Sequence, residues 1–175
     1  MDQDSIRIVG TLRKSERQSF LSSCIVTGLD AERRAGRSFA LLKPLGAEFK
    51  IEAKPEDEFK AEAERFGKLR LQKDLFNSKP IIPYTPCPFR FKYSYMTDDG
   101  KREGTCQDWE MEATFYNWKR QLGQDSTLER MAKVFGEEYP KKGMLLAMGT
   151  HSLYPDTWLI NGVIRLDEVT QMSLL

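Results

Sequence analysis

The first half of the chain contains short segments in which apolar and polar residues alternate, as in strands that are buried on one face. These segments are residues 6–12, 20–27, 38–42 and 49–53. The polar residues 31–37 predict a loop between the second and third of them. We therefore predict a small antiparallel β meander or partial barrel, OB-like or SH3-like, in this part of the chain.

A helical pattern begins at Pro55. Proline suits a first helical position, and the acidic residues 56–58 that follow favour the positive end of a helix. Phe59, Ala63 and Phe66 then recur at helical spacing, which predicts one buried stripe. Gly67 predicts the end of the helix, with a short strand at residues 69–71 after it.

Residues 77–88 contain Pro80, Pro83, Pro86 and Pro88, half of the eight prolines in the protein. Prolines at this density exclude a helix or a central strand, so we predict an extended, proline-rich strap. The strap separates residues 1–76 from residues 89–175. We expect the two parts to form one compact unit.

After the strap, aromatic and basic residues alternate in a predicted strand. Phe89, Phe91, Tyr93 and Tyr95 project to one face, while Arg90, Lys92 and Ser94 project to the other. Asp99-Gly100 predicts a hairpin turn behind it. The rings are either core residues or a platform on which bases stack.

Residues 106–122 have the periodicity of a helix with an unusually wide apolar arc, and Gly123 predicts its end. One stripe contains Met111, Phe115, Trp118 and Leu122, and a second contains Trp109, Ala113 and Tyr116. Both stripes are expected to be buried.

A second helix is predicted to start near Asp125, with Ser126 and Glu129 as a capping box, and to end at Gly136. Residues 144–148 and 158–166 then predict two strands around the loop 149–156. The fold class predicted for the whole chain is α+β.

The composition indicates a globular domain: 30% of the 175 residues are charged and 40% are hydrophobic. The longest apolar runs are too short to span a membrane, so no membrane partner is expected. The acidic start of the chain does not resemble a signal peptide. Three widely spaced cysteines favour a reducing compartment, and we expect a cytoplasmic protein.

Net charge is +1, but basic residues are in excess in the strand-rich segments 1–50 and 67–103. This distribution indicates either a basic sheet face or ordinary solvated surface. A basic face would place cations near phosphates and a ring near bases. The candidate nucleic-acid-binding residues are Arg90, Lys92, Lys101, Arg102 and Tyr93.

Asp108, Glu110 and the only histidine, His151, are the candidate catalytic residues. Carboxylates suit a Mg²⁺ ion, and a loop histidine suits a general base. The alternative for Asp108 is a capping box with Thr105 as N-cap, and the alternative for His151 is a hydrogen bond within its own loop. Glu112 is expected to be a solvated surface residue.

Cys87, Cys106 and His151 would form a metal cluster if the fold brought them together. Their spacing is not that of a known zinc motif, and the chain has neither a phosphate-binding loop nor a dinucleotide glycine fingerprint. We therefore assign no metal site and no cofactor.

Three motifs in the C-terminal half resemble an uncharacterised family of small prokaryotic and phage-type proteins. They are Phe91-Lys92-Tyr93, Asp108-Trp109-Glu110 and the Gly-x-x-His-x-x-Pro loop at residues 149–155. Cys24-Ile-Val-Thr-Gly28 and Leu41-Leu-Lys-Pro44 match more loosely. The family pattern also has a Cys/His cluster before Asp-Trp-Glu, which residues 96–105 lack. The resemblance implies no activity.

The leading hypothesis is a non-enzymatic module that binds nucleic acid or a nucleoprotein partner through a basic sheet face. The first alternative is a metal-dependent phosphodiesterase or other hydrolase that uses Asp108, Glu110 and His151. The second is a structural subunit that acts through an exposed apolar patch. The sequence does not predict the oligomeric state.

Overall fold

The computed structural model describes residues 13–71 and 85–165, which form two β-sheets with helices packed against them. The predicted α+β class is confirmed. The described strands are β1 (Ile25–Val26), β2 (Phe39–Leu42), β3 (Gly46–Ala53), β4 (Phe89–Thr97), β5 (Gly100–Thr105), β6 (Met144–Thr150) and β7 (Trp158–Arg165). The described helices are α1 (Lys14–Cys24), α2 (Asp30–Arg34), α3 (Glu56–Leu71), α4 (Trp109–Leu122), α5 (Gln124–Lys133) and α6 (Tyr139–Lys141).

Each sheet combines strands that precede and follow the predicted strap. One sheet has the order β1-β2-β6-β7, in which β1 and β2 are parallel and the other pairs antiparallel. The other has the order β3-β4-β5 and is antiparallel throughout. The N-terminal strands therefore do not form a meander or partial barrel of their own within the described residues. The strand predicted at residues 6–12 and residues 77–84 of the strap lie outside the described ranges.

The prediction of a strand from residue 20 was wrong, because residues 20–24 belong to α1. Residues 14–24 contain no β-branched side chain, and such side chains are the ones that favour strands. The backbone becomes extended at Ile25, where a β-branched run begins. The side chain of Glu16 accepts a hydrogen bond from the backbone N–H of Arg13 (2.8 Å) at the start of the helix.

The loop predicted at residues 31–37 instead contains most of α2. The carboxylate of Asp99, in the β4–β5 turn, accepts hydrogen bonds from the backbone N–H groups of Leu29 and Asp30. These are donors that a helix start leaves without partners. Gly28 allows this approach, since a Cβ atom there would lie 2.8 Å from Asp99 Oδ2.

Two glycines that were predicted to end helices lie inside helical segments. α3 continues through Gly67 to Leu71, so the strand predicted at residues 69–71 was wrong. Gly136 lies in a π-helical turn, Val134–Glu138, that connects α5 with α6. A Cβ atom on Gly136 would lie 3.3 Å from Cβ of Phe49, so glycine allows the helical segment to pack closely against β3.

A cluster of aromatic rings forms the core beneath the three-stranded sheet. Phe49 contacts the ring of Tyr93 (centroids 5.0 Å apart) and that of Phe135 (5.9 Å). The Tyr93 hydroxyl donates a hydrogen bond to the carbonyl of Phe135 (3.1 Å). Phe89 meets Phe115 of α4 edge-on at 5.3 Å. The alternation predicted for β4 thus gives one face of rings that are buried in the core.

Residues between β5 and α4 join the two sheets. Cys106 forms an isolated parallel bridge with Ile160 of β7, and its N–H donates to the carbonyl of Phe91 in β4 (2.7 Å). The N–H of Gln107 donates to the carbonyl of Ile160 (2.7 Å). α4 begins directly after this junction and ends at Gly123, as predicted. Gly123, at φ 77°, is also the N-cap of α5, so the capping box predicted at Ser126 and Glu129 was wrong.

Within the described ranges, no helix combines the length and the apolar character needed to cross a membrane.

We expect Asp99→Ala to reduce the free energy of unfolding by about 1–3 kcal/mol at pH 7, because the partly buried N–H group of Leu29 and the exposed N–H group of Asp30 lose a charged acceptor. Hydrogen bonds from Asp30 and Leu29 hold the pKa of the Asp99 carboxyl below its ordinary value. Its stabilisation is present above the unfolded-state pKa, about 3.9, and is lost as pH falls through the lower folded-state pKa.

Urea unfolding of both proteins between pH 2.5 and 7 measures this difference. The two stabilities should converge below about pH 4. Glu64→Ala, which removes an exposed carboxylate of α3, is the matched control. A difference that does not change with pH would contradict this role for Asp99.

Candidate functional site

A groove of about 550 Å³ runs along the outer face of α4. Its walls are mainly apolar, and its lining residues are Thr85, Trp109, Glu112, Ala113, Tyr116, Asn117 and Arg120. All but Thr85 belong to one face of α4, at positions i, i+3, i+4, i+7, i+8 and i+11. The set extends about 16 Å along the helix axis.

The two faces of α4 differ in burial: one packs into the core, and the other lines the groove. Met111 and Phe115 are buried in the core, as the first predicted stripe required. The second predicted stripe forms the wall of the groove, and 69% of the surface of Trp109 is exposed. The prediction that both stripes are buried was therefore wrong for Trp109 and also for Leu122, which is exposed at the end of the first stripe. A large exposed indole beside a concave surface is unusual, because tryptophan is highly buried on average.

Tyr116 is held in one position in the wall of the groove. Its hydroxyl donates a hydrogen bond to the carbonyl of Pro86 (2.7 Å), and its ring meets Phe115 edge-on at 5.2 Å. Burial raises the pKa of Tyr116 to about 12, so the phenol stays protonated at neutral pH. The groove thus has a fixed aromatic wall.

Glu112 lies in the groove and is partly buried, not solvated as the sequence predicted. Burial raises the pKa of its carboxyl group, although Lys54 and the backbone of Cys87 act in the opposite direction. Its Oε2 atom is buried and has no hydrogen-bond partner among the described residues. Lys54 Nζ donates to Glu62 (2.6 Å) and not to this atom.

Arg120 lies at the far end of the groove from Trp109 and is exposed. Its guanidinium donates a hydrogen bond to the amide oxygen of Asn117, another lining residue. In the part of the chain that the structure describes, Arg120 has no ion-pair partner. Its charge is therefore available to an anion.

The cations of the predicted basic sheet face are paired with carboxylates. Arg90 contacts Glu58 of α3, while Lys92 contacts Glu52 (2.8 Å) and Glu103 (3.8 Å). Hydrogen bonding to Glu52 raises the pKa of Lys92 and lowers that of Glu52. This face of β3-β4-β5 is consequently a mixture of both signs of charge.

The remaining candidate nucleic-acid-binding residues are Arg102, Tyr93 and Lys101, and only Lys101 is both exposed and without a carboxylate partner in the described part of the chain. Arg102 contacts Asp30 (2.8 Å) and lies 3.9 Å from Asp99. Tyr93 is buried in the core, where no base can reach it. Lys101 is exposed and has no carboxylate partner among residues 13–71 and 85–165.

The three candidate catalytic residues do not come together. Asp108 is the N-cap of α4: Oδ1 accepts a hydrogen bond from Glu110 N–H (3.0 Å), and Oδ2 accepts one from Val163 N–H of β7 (3.1 Å). Its capping role was predicted, but with Thr105 as the N-cap. Glu110 is exposed.

His151 lies in the β6–β7 loop, where its backbone N–H donates to the carbonyl of Thr157 and its Nδ1 accepts from Leu153 N–H (3.1 Å). Thr157 directly precedes β7 and lies six residues before Val163, or roughly 20 Å along an extended chain. His151 is thus far from the carboxylate of Asp108. Its hydrogen bond lies within its own loop, which was the alternative role considered for it.

The cysteines do not form a cluster with His151. Cys87 and Cys106 are buried, and burial raises the pKa of their thiols to about 11 and about 12. Within the described residues, no group of three or more His, Cys, Asp or Glu side chains has the geometry to hold a metal ion.

A second cleft, of about 350 Å³, lies along α3 and is lined by Lys54, Glu58, Ala61, Glu62 and Arg65. Lys54 and Glu62 are paired with each other, and Glu58 is paired with Arg90. Three of the four charged side chains of this cleft are therefore already paired, and the guanidinium of Arg65 lies over the ring of Phe66 (5.4 Å to its centroid). Among the described residues, the groove on α4 instead combines an exposed tryptophan ring, an arginine without an ion-pair partner and a buried carboxylate oxygen without a donor, and it is the stronger candidate.

The chain matches the model of a family described as "Domain of unknown function (DUF8757)" over residues 9–175, and it belongs to that family. This confirms the predicted membership of an uncharacterised family; the prokaryotic or phage origin remains a prediction. A search of curated proteins found no match. A search of solved structures found none either.

We expect Asp108→Ala to lower the free energy of unfolding by about 2 kcal/mol, because the variant loses the cap of α4 and the contact with Val163. His151→Ala should change it by less than about 0.5 kcal/mol, because its contact is local and exposed. Chemical denaturation measures both. Equal effects of the two substitutions would contradict the difference in their structural roles.

A further prediction concerns the buried carboxyl of Glu112. Its folded-state pKa is raised, so the unfolded chain releases this proton at a lower pH than the folded chain does. Wild-type stability should therefore fall relative to Glu112→Gln as pH rises above about 4.3. Urea unfolding from pH 3.5 to 7 measures the difference, with Glu110→Gln on the exposed side of α4 as the control. If the stabilities of wild type and Glu112→Gln change in parallel with pH, the raised pKa of the Glu112 carboxyl is ruled out.

Proposed function

We propose that this member of the DUF8757 family is a non-enzymatic module that binds single-stranded nucleic acid in the groove of α4. The observation that carries the proposal is the exposed indole of Trp109 beside a groove that also contains Arg120, which has no ion-pair partner within the described ranges. Aromatic platforms and basic grooves are the two features that single-stranded nucleic acids require of their binding proteins.

The aromatic part of the site is suited to stacking. Trp109 and Tyr116 lie seven residues apart on the same face of α4, about 10 Å along the helix axis. Tyr116 is fixed by its hydrogen bond to Pro86, so little side-chain entropy remains to be lost when a base stacks on it. Each stacked base contributes about 1–3 kcal/mol and does so with little dependence on its sequence.

The electrostatic part of the site comes from Arg120. Its guanidinium is exposed at one end of the groove, and Asn117 orients it through a hydrogen bond. A phosphate that follows a base stacked in the groove would complete the coordination of this cation. The arginine also disfavours cationic ligands, such as a basic peptide, in the same groove.

Because Arg90 and Lys92 are already ion-paired, we place the proposed interface on α4 and not on the sheet face. A phosphate that bound to the sheet would have to displace Glu58 and Glu52 from these cations. With a net charge of +1, the protein also has little long-range attraction for a duplex. Stacking on a single strand is therefore a stronger source of affinity than phosphate contacts across a basic face.

Exposed apolar residues in the β6–β7 loop support a second candidate function, which is contact with another protein. The β6–β7 loop exposes 77% of Leu153 and 65% of Tyr154, and Phe39 is exposed on the neighbouring strand β2. An ion pair between Asp156 and Arg33 (2.8 Å) ties this loop to α2. Exposed apolar residues on a fixed loop favour a protein contact, which corresponds to the structural-subunit alternative. Sedimentation of Leu153→Asp beside wild type would reveal self-association through this loop.

Trp109→Ala should weaken binding of a fluorescent single-stranded oligonucleotide by about 5- to 150-fold, the equivalent of one lost stacking interaction. Fluorescence anisotropy at low salt measures the affinity for DNA and RNA strands of mixed sequence. The indole is mostly exposed, so the variant should unfold at nearly the wild-type denaturant concentration. Wild-type protein that binds no oligonucleotide at low salt would refute the proposed function.

Arg120→Ala should reduce the slope of log K against log salt concentration by about 1, as expected for one lost phosphate contact. The double variant Arg90→Ala with Lys92→Ala is the matched comparison, because it removes two cations that are already paired. If the double variant lowers the slope and Arg120→Ala does not, the interface lies on the sheet and not in the groove.

A further inference from the structure

Glu112 lines the groove, and the backbone of Cys87 hydrogen-bonds its carboxyl group, which leaves one oxygen to consider. Among the described residues, Oε2 of Glu112 is buried without a hydrogen-bond partner. Leaving such a carboxylate atom unpaired in a buried position is costly. Glu112 lines the groove, and the terminal torsion of a glutamate is broad, so binding in the groove would require the carboxylate to rotate this oxygen toward the ligand. A ligand that supplies N–H donors would satisfy it.

The position of Glu112 on α4 relates this acceptor to the stacking platform. Glu112 follows Trp109 by three residues, and side chains at this spacing are neighbours on a helix surface. A base that stacks on the indole therefore presents its edge to the carboxylate. The ammonium of Lys54 donates to Glu62 (2.6 Å) and makes no hydrogen bond to Oε2 of Glu112.

The bases differ in the number of hydrogen-bond donors that they can offer to the carboxylate of Glu112. Guanine carries an N1–H and a 2-amino group side by side, two donors that match the two oxygens of a carboxylate. Adenine and cytosine present one amino group. Uracil and thymine present a single N–H between two carbonyl oxygens, which a carboxylate repels.

We propose that the groove prefers guanine, with the carboxylate of Glu112 accepting hydrogen bonds from the N1–H and 2-amino groups of a base stacked on Trp109. This inference rests on the proposed function and specifies the ligand of the same site. Arg120, farther along α4, is placed to bind the phosphate of the same strand. The carboxylate supplies the specificity, and the ring and the arginine supply affinity for any strand.

The test compares guanosine, inosine and uridine 5′-monophosphates by quenching of tryptophan fluorescence, with calorimetry as a second measurement. Inosine differs from guanosine only in lacking the 2-amino group. One hydrogen bond to a charged acceptor corresponds to about 10- to 150-fold in affinity, so guanosine monophosphate should bind that much more tightly than inosine monophosphate. Uridine monophosphate should bind more weakly than both.

Glu112→Gln should remove most of the preference for guanosine over inosine, because an amide offers only one acceptor oxygen. Glu110→Gln, on the solvent side of the same helix, should retain the preference in full. Circular dichroism and urea unfolding establish that both variants are folded before affinities are compared.

Equal affinities for all three nucleotides in the wild-type protein, with quenching that disappears in Trp109→Ala, would overturn the guanine preference and leave the binding site intact. A preference that persists in Glu112→Gln would overturn the role of this carboxylate. If neither the nucleotides nor the mixed-sequence oligonucleotide bind, the proposed function fails and this inference fails with it.

Discussion

The carboxylate of Asp108 connects β7 with the helix that carries the groove. One oxygen caps α4, and the other accepts the N–H of Val163 in β7. The neighbouring residues Cys106 and Gln107 hold the same corner through backbone hydrogen bonds to β4 and β7. The direction of α4 is therefore fixed from both sheets at its first turn. Which face of α4 is buried and which is open follows from this junction.

The sequence predicts those parts of the fold that depend on local patterns. The alternation in β4, a hairpin turn between β4 and β5 and the end of α4 at Gly123 can all be read from neighbouring residues. The two turn residues are Asp98 and Asp99, however, and Gly100 already belongs to β5. Helical periodicity also identifies the two stripes of α4. It tells which residues share a face, but not whether another part of the chain covers that face. For this reason Trp109 was assigned to the core, although it lies in the wall of the groove.

The remaining features depend on contacts between distant residues. Nothing near Leu29 in the sequence indicates that Asp99 provides the acceptor at the start of α2. Likewise, Arg90 and Lys92 form a basic pattern when β4 is considered alone. Strand register brings Glu52 next to Lys92, and α3 brings Glu58 to Arg90, which neutralises that pattern. Charge along a single strand is thus a poor guide to charge on a sheet.

The cysteines, which form no site here, differ in their accessibility to reagents. Cys87 and Cys106 are buried within the core, whereas Cys24 at the end of α1 is partly exposed. Thiolates are the reactive form of cysteine, and burial disfavours that form at the two core positions. The native protein therefore offers one position for alkylation or for attachment of a spectroscopic label. Such a label would report on the α1–β1 corner without any engineered cysteine, and labelling of the other two thiols would register the opening of the core.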